Sequence, residues 1–264
     1  EFYVVADRHK RKFSGGERDY RYHQILLAKN AQGYKNLVKL CSLGYLEGLY
    51  GKYPRIDKEL IEKYHEGLIA TSCCLAAEVP RTIKHKGEEA GETSLKWWLD
   101  LFGEDYYIEL QRHGISDQDE VNEVLVKLAQ KHNVKIIASN DSHYVEQSAF
   151  NAHDILLCVN TGSKQSMPSW KEYGDDDETG KGRRFSFYND QFFLKTTAQM
   201  ADVFSDLPQA LDNTNEIVDK IETLSLNKDI LLPNFPVPKE FQIHTEGIIS
   251  PYKKSLDADA RNQW

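Results

Sequence analysis

The sequence predicts an α/β protein built on a mainly parallel sheet, either open or closed into a barrel. Two observations carry this reading. Short apolar or β-branched runs alternate with segments of helical periodicity from the first residue to about Tyr144. Residues of the types that bind metals stand where those apolar runs begin or end, as they do in α/β sheets that keep their sites at strand ends. At 264 residues the chain can bury one sizeable core or two small ones.

The elements follow in order. EFYVVAD reads as a strand ending in a turn, and YHQILLAKN as a second, apolar strand. GYKNLVKLCSLGYLEG carries a helical pattern, and LIEKYHEGLIATSCCLAAEV gives a helix, a strand and a site-like loop. SLKWWLDLFGEDYYIELQRHG is an amphipathic helix followed by a strand, with Trp97 and Trp98 read as core and rim of the helix face. DEVNEVLVKLAQKHNVKIIASNDSHY repeats the scheme, with Val121, Val124, Leu125 and Leu128 at helical spacing. Residues 171–184, KEYGDDDETGKGRR, lack periodicity and read as a mobile, solvated surface loop. QFFLKT is a short strand, SDLPQALDNTNEIVDKIETL a helix pair or one interrupted helix, and LPNFPVPKE a Pro-punctuated link. Residues 241–264 have no clear pattern.

The formal charge is −8, with 33 basic and 41 acidic residues, which argues against an electrostatic grip on nucleic acid by the whole surface but leaves room for a local basic face. No apolar run approaches the roughly 20 residues of a membrane span. EFYVVADRHK has no signal-peptide pattern, and without an initiator Met it reads as the start of a processed or truncated product. The four cysteines, two of them adjacent, show no disulfide framework, which fits a reducing cytoplasm. No G-x-S-x-G elbow, Walker A loop or strand-borne G-x-G-x-x-G is present.

The candidate chemistry lies at strand ends. Glu1 opens the first strand, His23 precedes ILLA, Cys74 follows LIATSC, His113 follows YIELQR, and Asp141 with His143 follows KIIAS. On an extended backbone Asp141 and His143 would leave the same face. Together these residues would suit Zn²⁺, Mn²⁺ or Fe²⁺, with the thiol favouring softer ions. Each also has a plainer role open to it. Glu1 can be a solvated terminal charge, His23 a hydrogen-bonded structural histidine, and Cys74 a small buried hydrophobe in competition with Cys73. His113 can cap or turn the chain, and Asn-Asp-Ser-His is also ordinary turn chemistry.

These stretches resemble a known family. EFYVV, YHQILLAKNAQGYKNLVKL, LIATSCCLAAEV, YYIELQRHG and ASNDSHYVEQSAFNAHDILLCVNTG are similar, in order, to the PHP (polymerase and histidinol phosphatase) domain of bacterial replicative DNA polymerase III alpha subunits. QFFLKTTAQMADVFSDLPQALDNTNEIV and LPNFPVP resemble the segment leading from that domain into the polymerase body, so the likeness runs to about residue 239.

The resemblance implies a distorted (β/α)₇ barrel, incomplete at its N-terminus, with a mainly helical C-terminal connector. The implied division is a partial PHP domain over 1–195, a connector over 196–240 and an unassigned tail over 241–264. It implies a cluster of roughly two to three divalent ions, Zn or Mn with Fe or Mg also compatible. Glu1 matches the glutamate of the family's E-F-Y strand, His23 the histidine before L-L-A-K-N, and Cys74 the cysteine of an S-G-C-L-type loop that here reads Ser72-Cys73-Cys74-Leu75. Asp141 and His143 match the N-D-x-H pair and would act catalytically through the bound metal, with His113 a further catalytic candidate. The family's H-x-H and D-H-G motifs lie before the E-F-Y strand and do not occur here.

The implied function is DNA replication, with a metal-dependent phosphoesterase site of 3′→5′ exonuclease type when complete. The alternative is a non-catalytic docking module of a DNA-directed DNA polymerase. The implied partners are DNA, reached through the full-length polymerase, and replicase subunits such as the proofreading exonuclease and sliding clamp, with no membrane and a cytoplasmic location.

Overall fold

The computed structural model describes residues 1–169 and 184–227, in a mixed α/β arrangement. Residues Glu1–Leu224 form one compact unit, and of the second unit, Ser225–Trp264, only the first three residues are described. The DDDE stretch, the Pro-rich link and the tail after 240 lie outside the described residues.

Strand β1 (Phe2–Val5) pairs antiparallel with β2 (Tyr22–Gln24). After Ile25 the chain enters β3 (Leu26–Ala28), then helix α1 (Ala31–Leu46), β4 (Arg55–Asp57), α2 (Lys58–Tyr64) and β5 (Leu68–Thr71). Two helices follow, α3 (Glu78–Lys86) and α4 (Glu88–Phe102), then β6 (Tyr106–Gln111), α5 (Ser116–His132) and β7 (Ile136–Ser139). Helices α6 (Phe150–Thr161), α7 (Thr197–Val203) and α8 (Pro208–Lys220) complete the described part.

The strands form two sheets, β2-β1-β4 and β3-β5-β6-β7. β1 runs parallel to β4, and β5, β6 and β7 are mutually parallel, whereas β3 is antiparallel to β5. Parallel strands covered on both faces should be continuously apolar, and β5 and β6 are buried at every position. The main core lies on these strands, with Leu68, Ile108 and Leu110 packed among Leu40, Leu95, Trp98, Leu125 and Leu128.

Among the described residues the strands form two open sheets. Several local expectations are corrected. YHQILLAKN is two three-residue strands in different sheets, because the chain steps across at Ile25; the buried Gln24 amide holds the step by donating to the carbonyls of Ile25 (2.9 Å) and Thr71 (2.8 Å). QFFLKT makes only an isolated bridge, Phe193 to Tyr144. SDLPQALDNTNEIVDKIETL holds one helix, begun by Pro208, whose fixed φ suits the first turn. The other helix of this region, α7, lies upstream, where Thr196 and Gln199 form a reciprocal capping box. Helix α8 packs on β7, with Asn213 donating to the Ile136 carbonyl at 2.8 Å, so the expected connector lies against the same unit as far as Lys220.

Local chemistry sets the helix ends. Asn30 caps α1 by accepting from the Gly33 amide at 2.9 Å, and Asp57 caps α2 by accepting from Leu60 at 3.2 Å. At Gly33 the helix presses on the turn before β5, and a Cβ there would sit 1.9 Å from the Gly67 carbonyl oxygen. Gly67 itself has φ +72°, so neither backbone can shift freely. Gly33→Ala is expected to cost about 2–3 kcal/mol and lower the melting temperature by roughly 5–10 °C. A thermal scan with an unshifted midpoint would refute this close approach.

Candidate functional site

Three of the anticipated residues meet directly. β1 carries Glu1 at its start, β2 carries His23 opposite Tyr3, and the loop after β5 brings Cys74 to the same imidazole. Glu1 Oε1 lies 2.7 Å from His23 Nδ1, and Cys74 Sγ lies 3.6 Å from the same nitrogen. The Cys74 loop is tied to β2 by the His23 amide, which donates to the Ala76 carbonyl at 3.2 Å.

The electrostatics favour a charged trio. Hydrogen bonding to His23 holds the Glu1 carboxyl below its usual range. Burial works against the His23 imidazolium, but hydrogen bonds to Cys74 and Glu1 outweigh it and push its pKa up to about 10. A hydrogen bond with the Cys73 thiol, assisted by His23 and opposed by burial, brings Cys74 down to about 6. Cys73, hydrogen-bonded to Cys74 and buried, is pushed well up. Cys73 also has φ +55°, a left-handed conformation that glycine adopts more easily, so the loop geometry does not depend on a glycine there.

Asp141 and His143 meet as a second group, His143 Nε2 lying 3.2 Å from Asp141 Oδ1. They do not reach this contact by strand alternation. β7 ends at Ser139, and Asp141 adopts φ +47°, so a left-handed turn returns the chain on itself. Aspartate is among the few non-glycine residues that tolerate this region. The Asp141 charge reaches both Glu1 and His113, so the two groups share one neighbourhood.

His113 occupies a different environment. It is 1% exposed and stacks on Phe192 with ring centroids 4.1 Å apart. Its Nε2 lies 2.8 Å from the Asn140 carbonyl oxygen, so that nitrogen is the donor, and Nδ1 accepts from Gln118 Nε2 at 3.0 Å. Burial lowers its pKa. With both ring nitrogens engaged, it braces the Asn140–Asp141 turn.

Glu109 was not singled out in the sequence. It is 4% exposed and accepts from Thr71 Oγ1 (2.6 Å) and Ser139 Oγ (2.5 Å), joining the ends of β5 and β7 to the middle of β6 beneath the Cys73–Cys74 loop. The available signal was a carboxylate in the middle of the apolar strand YYIELQ, which must be buried and therefore hydrogen-bonded.

The donor set of carboxylate, imidazole and thiolate suits Zn²⁺ or a similar ion. In the present arrangement Glu1 and Cys74 both turn toward the proton of one imidazole nitrogen, so that proton occupies the position a cation would neutralise. Among the described residues no three His, Cys, Asp or Glu side chains form a ready metal-holding group. The residues therefore fit a metal by chemistry, and His23 would have to lose its Nδ1 proton for all three to bind one.

Ligand-type residues stand at neighbouring strand ends of an α/β sheet, and residues 1–113 match the family model described as the PHP domain. The chain is also similar, over most of its length, to one region of DNA polymerase III alpha subunits. It is 44% identical over 221 residues to DNA polymerase III subunit alpha of Borreliella burgdorferi, covering 83% of this chain and 18% of that protein. Over 249 residues it is 38% identical to DNA polymerase III subunit alpha of Thermus aquaticus, covering 90% of this chain and 19% of the relative. With the same protein of Campylobacter jejuni the identity is 37% over 232 residues, covering 84% and 18% respectively. The chain thus spans less than a fifth of the length of the curated relatives it matches.

Proposed function

We propose that this chain is the PHP region of a bacterial replicative DNA polymerase III alpha subunit, serving DNA replication in the cytoplasm, with a metal-dependent phosphoesterase site of 3′→5′ exonuclease type. The observation that carries this reading is the contact of Glu1, His23 and Cys74, with Asp141 and His143 at the end of a strand in the same neighbourhood. The seven strands would be arcs of a (β/α)₇ barrel, with DNA and the other replicase subunits as partners of the whole protein. Among the described residues no helix is long and apolar enough to cross a membrane.

In this reading Glu1, His23 and Cys74 hold one ion, and Asp141 with His143 contributes to a second. Zn²⁺ or Mn²⁺ would supply Lewis acidity toward a phosphodiester. His143 is 39% exposed at its side chain, and Phe187 packs on it with ring centroids 4.5 Å apart. With Glu1, whose side chain is 54% exposed, it is a ligand candidate that substrate can approach from solvent, while Asp141 orients its Nε2.

Elemental analysis of protein purified without chelator tests the proposal. Zn, Mn or Fe near one or more equivalents is expected, with a loss of about tenfold or more in metal affinity in His143→Ala, as for removal of a direct ligand or its support. Unchanged metal content in that variant would remove His143 from the site. Essentially no metal in either protein would favour the second reading, a non-catalytic docking module. That reading has its own support in α6, whose outer face exposes Ile155, Leu156 and Val159 and carries no exposed charge.

A further inference from the structure

The long connection between β1 and β2 departs from the charge of the rest of the chain. Residues 7–22 hold six Lys and Arg against three Asp and Glu, within a chain of net charge −8. The carboxylates are largely engaged within the loop or beneath it, and so are several of the cations: Arg8 is buried against Asp57, Glu47 and Glu59, and Arg21, 10% exposed at its side chain, pairs with Asp19 at 3.2 Å. Asp19 accepts from the fully buried Arg55 at 2.6 Å, Glu17 pairs with Lys10 at 2.9 Å, and Asp7 accepts from the His9 amide at 2.8 Å. Arg55 also binds the carbonyls of Arg8 (3.2 Å) and Lys10 (2.9 Å), which anchors the loop from below. Lys12 stays exposed on the outer side.

Aromatic rings interleave with these cations. Tyr20 is 51% exposed, with the Arg81 guanidinium 5.2 Å from its ring centroid. The Arg21 guanidinium lies 3.8 Å from the Tyr53 ring and 5.8 Å from the Tyr3 ring. The Tyr3 ring in turn meets His23 edge-on at 5.4 Å. From Tyr53 through Arg21 and Tyr3 these groups lead to the imidazole at the centre of the candidate site, and Tyr20 with Arg81 forms a second ring–cation pair beside the same loop. Sequence-tolerant single-strand binders use this combination, with cations tracking phosphates and aromatic faces stacking bases.

We infer that the β1–β2 loop, through Lys12, Tyr20 and Arg81 and the Tyr53–Arg21–Tyr3 ladder, is a binding track for single-stranded nucleic acid that delivers a strand to the His23 site. The inference rests on the phosphoesterase reading for its purpose but not for its measurement. A single strand suits this surface better than a duplex, because the rings need unpaired bases to stack on.

The test is fluorescence anisotropy with a labelled oligo-dT 20-mer and the whole chain, in EDTA, across 50–200 mM KCl. Binding is expected at 50 mM, weakening with salt. Tyr20→Ala should weaken it about tenfold, and Tyr20→Phe should restore it. Lys12→Glu should weaken it and reduce the salt slope by about 0.7, the contribution of one phosphate contact. Absence of binding by the unaltered protein, equal affinity in Tyr20→Ala and Lys12→Glu, or an equal loss in Lys127→Glu on α5 would each overturn the inference. Because EDTA removes any metal, it reads binding apart from turnover; binding in EDTA with no hydrolysis once Mn²⁺ or Zn²⁺ is restored would overturn the phosphoesterase reading and leave the track standing.

Discussion

Replacing Arg55 with alanine is expected to lower the free energy of unfolding by about 3–5 kcal/mol, the range for removing one partner of a buried ion pair. The side chain is 0% exposed, and every direction of its fork is occupied. Nε donates to the Gly48 carbonyl at 2.9 Å, Nη1 to Asp19 at 2.6 Å, and Nη2 to the carbonyls of Arg8 and Lys10. Truncation would leave these acceptors without their donor, and Asp19, only 10% exposed at its side chain, without this charge partner. Lysine should rescue only part of the loss, since an ammonium cannot reproduce the planar fork. Urea unfolding followed by tryptophan fluorescence reads this directly. A loss below about 1 kcal/mol would mean that the loop anchoring is dispensable.

Zinc uptake at pH 7–9 is expected to release close to one proton per ion, and the apparent affinity to rise about tenfold per pH unit. The sign follows from the charge state of the trio. In the metal-free protein His23 is an imidazolium up to about pH 10, whereas Cys74 is already a thiolate above about pH 6. Binding in this window must expel the His23 proton but none from Cys74, and below pH 6 it must expel both. Calorimetry in two buffers of different ionisation enthalpy counts the protons. Uptake independent of pH between 7 and 9 would remove either the imidazolium or His23 as a ligand. The same shifts bear on stability without metal. The His23 contribution is fully present below its ordinary value of 6.5 and is lost as pH rises through about 10. That of Cys74 is fully present above 9.0 and is lost as pH falls through about 6.

Much of this was legible in the sequence because strong periodicity and continuous apolar runs encode buried elements locally. The helix carrying Val121, Leu125 and Leu128 and the buried strands LIAT and IIAS are of this kind. Their places at strand ends, and then the family likeness, grouped Glu1 with His23 and Cys74, which no spacing rule links across 51 residues. What stayed hidden depends on tertiary contacts. The division of YHQILLAKN between two sheets is decided by partners far along the chain. The left-handed turn at Asp141 is fixed by the His113 contact to Asn140, and QFFLKT pairs too briefly to form a strand. Glu109, not singled out in the sequence, is the knot among three strands.

The step between sheets at Ile25 has an evolutionary corollary. With a single residue between β2 and β3, the alternation of side chains in one sheet sets the alternation in the other. An inserted or deleted residue here would leave each sheet able to form, yet would turn either His23 away from Cys74 or Leu26 out of the core. Related chains that keep the site should therefore vary in residue type around Gln24–Leu26 but be free of length changes there, whereas the β1–β2 loop can lengthen or shorten without disturbing either register.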